Sequence, residues 1–337
     1  MRERDTVYLT DFLRSSAERE SAAGILRAGG LVVMPTETVY GLAANALDPL
    51  AVASIFVAKG RPSDNPLIVH VASVDELDAV TAGACDAARE LFARFSPGPL
   101  TLVLPRSERL PATVTGGLGT VGVRIPSHPA ALALIEASGL PLAAPSANRS
   151  GRVSPTSYAM ARSEMSGRVD AIIDGGECAV GLESTVARVT DGSVVILRPG
   201  AVTLEMIRDA LPGHSVSFAD EASLSPGTAA PSPGMRYAHY RPDAAVYCWY
   251  GGSIDGIGER ATRAVIGLSG CAAGVDAAFV REFASVDEYS ARFFATLSEC
   301  DAAGVETVIA QAVGEEGIGA ALMNRLRRAS AGKTVGP

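Results

Sequence analysis

A chain of 337 residues exceeds one ordinary hydrophobic core, and 47% hydrophobic residues leave apolar material for two. A formal net charge of −8 with only 5% aromatic residues argues against a free-standing nucleic-acid binder, which needs a basic face and stacking platforms. No apolar run is long enough to span a bilayer, and the polar start from Met1 to Asp5 lacks the apolar core of a signal peptide, so a cytoplasmic protein without membrane attachment is expected.

Taken in chain order, Glu18 to Ala28 reads as a helix stopped by Gly29-Gly30, and Leu31 to Met34 as a strand. Asp48 is placed to cap a helix from Pro49 toward Lys59, and Leu67 to Val71 reads as a buried strand. Ser73 with Glu76 has the capping-box pattern, Asp86 to Phe95 is helical, and Leu100 to Leu104 is a strand. Pro129 to Ser138 is a helix between strands at Val121 and Leu142, with His128 as its cap. Val186 to Val189 and Val194 to Leu197 flank an Asp191-Gly192 turn and form an antiparallel hairpin, so the sheet is mixed.

From about Gly213 to Pro242 the chain is rich in Ser, Pro, Gly and Ala, the composition of a linker. Beyond it, strands at Val246 to Tyr250, Ala264 to Leu268 and Thr307 to Gln311, with helices at Asp287 to Ala303 and Ile318 to Ala329, suggest a small Rossmann-like α/β unit. It lacks a GxGxxG fingerprint, and no dinucleotide is assigned to it. The five cysteines, Cys85, Cys178, Cys248, Cys271 and Cys300, are scattered and odd in number, which argues against a disulfide framework or a zinc site.

Polar residues that can do chemistry gather at strand ends. Lys59 to His70 (KGRPSDNPLIVH) packs two cations, an amide and an imidazole around a glycine and two prolines. It suits a rigid anion-binding loop, and equally a helix C-terminus whose cations complement the dipole. Pro35 to Leu42 (PTETVYGL) carries hydroxyls and a carboxylate directly after a strand. Pro145 to Gly151 (PSANRSG) carries the short hydroxyl and amide donors that suit phosphate oxygens. Arg124 stands inside an apolar strand, where a buried guanidinium needs a fixed carboxylate or phosphate partner. His70 in isolation reads as a core or rim histidine, Glu37 as a residue bonded within its own loop, and Arg149 and Arg152 as surface charges near a cleft mouth.

In order along the chain, PTETVYGL, KGRPSDNPLIVH, SPGPLTLVL, VGVRIP, APSAN, ESTV and LRPG resemble the YrdC-like threonylcarbamoyl-AMP synthases over about the first two thirds of the chain, and SPGMRYAHY is similar to the linker of the long form of that family. The resemblance implies an α/β fold, a YrdC-like twisted mixed sheet with helices, followed by the smaller Rossmann-like domain. Its expected divisions are a catalytic domain at 15–212, a linker or lid at 213–242 and a C-terminal domain at 243–337.

The implied activity is that of a nucleotidyltransferase. L-threonine, bicarbonate and ATP give threonylcarbamoyl-AMP and pyrophosphate, for use by the threonylcarbamoyl transferase machinery acting on tRNA. Mg2+ is expected on the ATP, with no metal held by the protein alone. Carried over by motif, Thr38, His70, Arg124, Ala144 and Ser184 fall at L-threonine positions. Arg61, Asn65, Thr120, Ser146, Ser154, Arg198 and Tyr237 fall at ATP positions, Lys59 would neutralise the carbamate or phosphates, and Asn148 would support its loop.

Overall fold

The computed structural model describes residues 4–220 and 240–336. In it the short apolar runs become strands: β1 (Val7–Leu9), β2 (Val32–Met34), β3 (Gly41–Asn45), β4 (Ile68–His70), β5 (Leu100–Pro105), β6 (Thr120–Arg124), β7 (Leu142–Ala143), β8 (Ala171–Ile173), β9 (Thr185–Val189), β10 (Ser193–Arg198) and β11 (Ser215–Phe218). They form one eleven-stranded sheet in the order β1-β8-β2-β3-β7-β4-β6-β5-β9-β10-β11. Pairing is parallel for β4 with β6 and β5 with β9, and antiparallel for β2 with β3, β5 with β6 and β9 with β10. The sheet is mixed, as the hairpin in the sequence required.

Alternation along the strands divides two cores. Val32 and Met34 face the helices Ser16–Arg27 and Pro129–Ser138, while Leu31 and Val33 join the opposite cluster with Ile55, Leu91 and Ile207. Helices therefore cover both faces, and polar strand ends remain as the surface where a site can open. The helix Pro49–Lys59 starts where its signals predict: the Asp48 carboxylate accepts from Leu50 N at 2.8 Å, and Gly60 ends it in the left-handed region at φ 62°. His128 caps Pro129–Ser138 through Nδ1, which accepts from Ala130 N at 3.1 Å.

Two local expectations change. Ser73 makes no cap bond, and the segment begins as a 3-10 turn, Val74–Glu76, before a one-turn helix, Leu77–Val80. Glu76 instead reaches back one residue beyond the cap to accept from Ala72 N at 2.9 Å, so the box does not form. Ser215–Phe218, inside the stretch expected to be linker, is β11 and pairs in parallel with β10.

The C-terminal strands β12 (Ala245–Trp249), β13 (Arg263–Leu268), β14 (Phe279–Phe283), β15 (Thr307–Gln311) and β16 (Thr334–Val335) form a second sheet in the order β14-β13-β15-β12-β16. All four of its pairings are parallel, the arrangement of a Rossmann-like unit. The helices Val286–Ala302 and Gly319–Ser330 bury Phe293, Phe294, Leu297, Leu322 and Leu326 against it. The same core takes in Val39, Val153 and Leu182 from the first part of the chain, so the two sheets share apolar packing. Among the described residues, no helix is long and apolar enough to cross a membrane.

Candidate active site

The turn joining β2 to β3 is held by its own hydroxyl. Thr36 Oγ1 donates to Val39 O at 2.6 Å and accepts from Val39 N at 3.2 Å, which fixes Thr38 with its side chain fully buried. Arg124, at the end of β6, reaches this turn: Nη1 donates to Thr38 Oγ1 at 2.9 Å, and Nη2 lies 2.8 Å from Glu37 Oε1, an ion contact off the line of a hydrogen bond. Glu37 Oε2 accepts from Ser127 N at 3.2 Å. Glu37 therefore bridges two elements and is the fixed anionic partner that the buried arginine needs, in place of the bond within its own loop that was expected.

His70 ends β4 beside Arg124 in register. Burial, and then the Arg124 charge, push its pKa down to about 3, so the imidazole is neutral at pH 7. Its Nδ1 is buried without a hydrogen-bond partner among the described residues. On the far wall, Arg198 at the end of β10 grips the start of β9, Nε donating to Ser184 O and Nη2 to Ser184 Oγ, both at 3.1 Å. Thr101 Oγ1 is 2.8 Å from the same hydroxyl. Burial lowers the Arg198 pKa to about 10, which leaves it cationic.

The third wall is the loop after β7. Ser146 Oγ donates to Asn148 Oδ1 at 2.6 Å, and Asn148 Nδ2 donates to Arg149 O and Arg152 O, each at 2.8 Å. Lys59 is buried beneath this loop, its ammonium donating to the carbonyls of Ser146 and, at 2.5 Å, of Asn148. Burial and then neighbouring Arg61 hold its pKa well below the ordinary lysine value. Ala144 N donates to Ile68 O at 2.9 Å, so its N–H is already used.

These walls enclose one cleft. Thr38, His70, Arg124, Ala144, Ser184, Arg61, Ser146, Asn148, Ser154 and Arg198 line it, and the structure brings these residues of the expected set together. Lys59 does not line it and acts from behind the 146–148 loop. Thr120 is absent from it because it begins β6, four residues before Arg124, roughly 13 Å away along a strand. Asn65 lies behind the wall, 2% exposed, with both amide atoms unpartnered among the described residues. Tyr237 falls outside the described residues.

Three polar lining residues were assigned to no substrate: Arg152, Glu183 and Tyr240. Arg152 was expected as a surface charge, yet it forks onto Asp243 at 2.8 and 3.0 Å and so ties the cleft mouth to the C-terminal unit. Tyr240 is 4% exposed at a φ of 64°, unusual for a bulky residue, with its ring 5.1 Å from that of Phe294. Glu183 is paired with Arg325 of the C-terminal helix at 3.0 Å. One signal for that pair is present in the sequence: Arg325 falls on the apolar face of its helix, in step with Leu322 and Ala329, where a charge demands a partner.

A cleft of guanidinium groups, hydroxyls, an amide and a neutral imidazole binds anions and orients donors. Among the described residues, no group of three His, Cys, Asp or Glu side chains is arranged to hold a metal ion. Residues 24–200 match the Sua5–YciO–YrdC family model, described as telomere recombination, and residues 202–331 match the model of the threonylcarbamoyl-AMP synthase C-terminal domain. The chain is 44% identical to the threonylcarbamoyl-AMP synthase of Pyrococcus abyssi, over 92% of this chain and 93% of that one. It is 41% identical to that of Bacillus subtilis, over 98% of both. The crystal structure of P. abyssi Sua5 complexed with L-threonine superposes with a TM-score of 0.89 at 42% identity, over 98% of each chain. The ordered strand-end motifs, both tandem domains and near full-length similarity agree: this chain belongs to the Sua5–YrdC family of threonylcarbamoyl-AMP synthases, in its two-domain form.

Proposed function

We propose that the cleft joins L-threonine, bicarbonate and ATP into threonylcarbamoyl-AMP, releasing pyrophosphate and water. The threonine amine attacks the carbonyl carbon of bicarbonate or of carbon dioxide derived from it, giving a carbamate. A carbamate oxygen then attacks the α-phosphorus, and pyrophosphate leaves with the electron pair of the broken P–O bond. No enzyme nucleophile enters this sequence. Positioning and charge neutralisation must supply the rate, and preorganised donors in a water-poor cleft do both.

The observation that carries this reading is the convergence of Arg124, Arg61 and Arg198 with Thr38, Ser146 and Ser184 on one cleft. Arg124, with Thr38, His70 and Ser184, is assigned to L-threonine, its guanidinium toward the carboxylate. Neutral His70 keeps an unpartnered ring nitrogen, Nδ1, for the substrate's polar groups. Arg61, Ser146, Ser154 and Arg198, which line the cleft, are assigned to ATP; Asn65, buried outside the lining, is not. Lys59 is assigned to hold the Ser146–Asn148 loop rather than to touch phosphate. The carboxylates on or beside the cleft, Glu37 and Glu183, are both ion-paired, so Mg2+ is assigned to enter as part of the nucleotide substrate.

The product is the substrate class that a threonylcarbamoyl transferase acting on tRNA must consume. Incubation with ATP, magnesium, L-threonine and 13C-bicarbonate is expected to give an adenylate carrying threonine and one labelled carbonyl, read by mass spectrometry. An adenylate of threonine without the carbon, or none, would refute the assignment.

A further inference from the structure

Glu183 poses an electrostatic problem for a cleft that takes a triphosphate: a carboxylate 6% exposed stands on the wall where anions must approach. Its two oxygens are both engaged. Oε1 accepts from Ser154 Oγ at 2.6 Å, and Oε2 accepts from Arg325 Nε at 3.0 Å. Arg325 is fully buried and comes from the helix Gly319–Ser330 of the C-terminal unit. Its remaining nitrogens donate to Glu183 O at 3.2 Å and to Pro199 O at 2.5 Å. The guanidinium thus holds the residues immediately before Ser184 and after Arg198, the two side chains that form the far wall.

The neighbouring backbone is pinned from the same side. Leu182 is buried in the C-terminal core, and Gly181, at a φ of 71°, lies so close to the carbonyl of Ala291 that a side chain would collide with it. A buried ion pair is a poor device for docking two domains, because apolar residues of equal volume hold at least as well without the cost of desolvation.

We infer that Arg325 is a positioning residue for nucleotide binding, supplied by the C-terminal unit: it neutralises Glu183 and orients Ser154, so the cleft accepts a triphosphate only with that unit seated. This rests on the ATP assignment above. The charged and titratable groups facing Glu183 are Arg325 from the C-terminal helix, Arg198 from β10, Lys59 from the end of Pro49–Lys59, and Tyr240. Burial alone would raise the Glu183 carboxyl, but Arg325 first, then Arg198 and Ser154, hold it below the usual range. Without Arg325 the burial effect prevails. The Glu183 carboxyl then shifts upward, repelling phosphate when ionised and ceasing to when protonated.

The test is the affinity for MgATP with L-threonine present, by calorimetry from pH 6 to 9, for the full chain and for R325M and E183Q/R325M, with near-ultraviolet circular dichroism to establish folding. R325M is expected to bind MgATP about tenfold or more weakly at pH 8, with the loss shrinking as pH falls; E183Q/R325M, which buries neither charge, binds at least about threefold more tightly than R325M at pH 8 and shows no such pH dependence, keeping only the loss that comes from the missing hold on the far wall. A folded R325M with unchanged affinity, or a loss that is constant with pH and persists with E183Q, overturns the inference. Should R325M fail to fold, the double variant decides alone: a loss that stays below about tenfold and does not vary with pH supports the inference, and a larger or pH-dependent loss overturns it. A natural chain that binds MgATP but makes no adenylate defeats the synthase reading and leaves these binding contrasts standing.

Discussion

At the scale of single residues, His70 shows how a fold sets a group's chemistry. Its imidazole stays neutral in the folded chain down to about pH 3, whereas the unfolded chain takes up a proton near the ordinary value of 6.5. Between those values the unfolded state binds more protons, so stability falls with falling pH, with a limiting slope of about 1.4 kcal/mol per pH unit for one proton. His128, also lowered by burial, adds in the same direction. Denaturant titrations of the natural chain and His70→Asn are expected to converge or cross as pH drops from 7 to 4, because the variant lacks the larger contribution; parallel curves would show that His70 titrates alike in both states. His70 was legible as a site residue because its motif is contiguous, but its neutrality was not, since that depends on Arg124 and on burial created by other strands. Lys59 shows the opposite limit. Its sequence neighbours mark an anion loop, yet its ammonium turns to the carbonyls of Ser146 and Asn148, residues nearly ninety positions away.

Among the elements, the β9–β10 hairpin matters most to the cleft. Arg198 and Ser184 meet across it, and a register irregularity lies between Ile196 and Arg198. Gly200 follows at close range: a Cβ there would sit 2.7 Å from the Ser184 carbonyl carbon, with Thr185 N closer still. Gly200→Ala must part the hairpin at Ser184, so the expected loss is about 1–3 kcal/mol in denaturant midpoint measurements together with a raised KM for threonine. Unchanged values for both would show that the hairpin does not set the site. The hairpin could be read from its Asp191-Gly192 turn and alternating valines. The strands Val7–Leu9 and Ala171–Ile173 were not foreseen, because three residues are too few to show a period, and their pairing joins segments far apart in the chain. Helix starts with local signals, such as Asp48 before Pro49, were readable to the residue.

For the whole molecule, the C-terminal unit backs the wall of the active cleft through a shared core and the Glu183–Arg325 pair, 142 residues apart in sequence. Nothing local announces that pair beyond a charge on an apolar helix face, which is why the sequence alone places no site residue in the second unit. The central claim is that this assembled cleft makes one mixed adenylate from three substrates. Its most direct test is pyrophosphate release from ATP by the purified full chain with magnesium, L-threonine and bicarbonate together, and with L-threonine or bicarbonate omitted in turn. Release that requires both is the predicted result; release that persists without threonine or without bicarbonate, or none from a folded chain with all present, would contradict it.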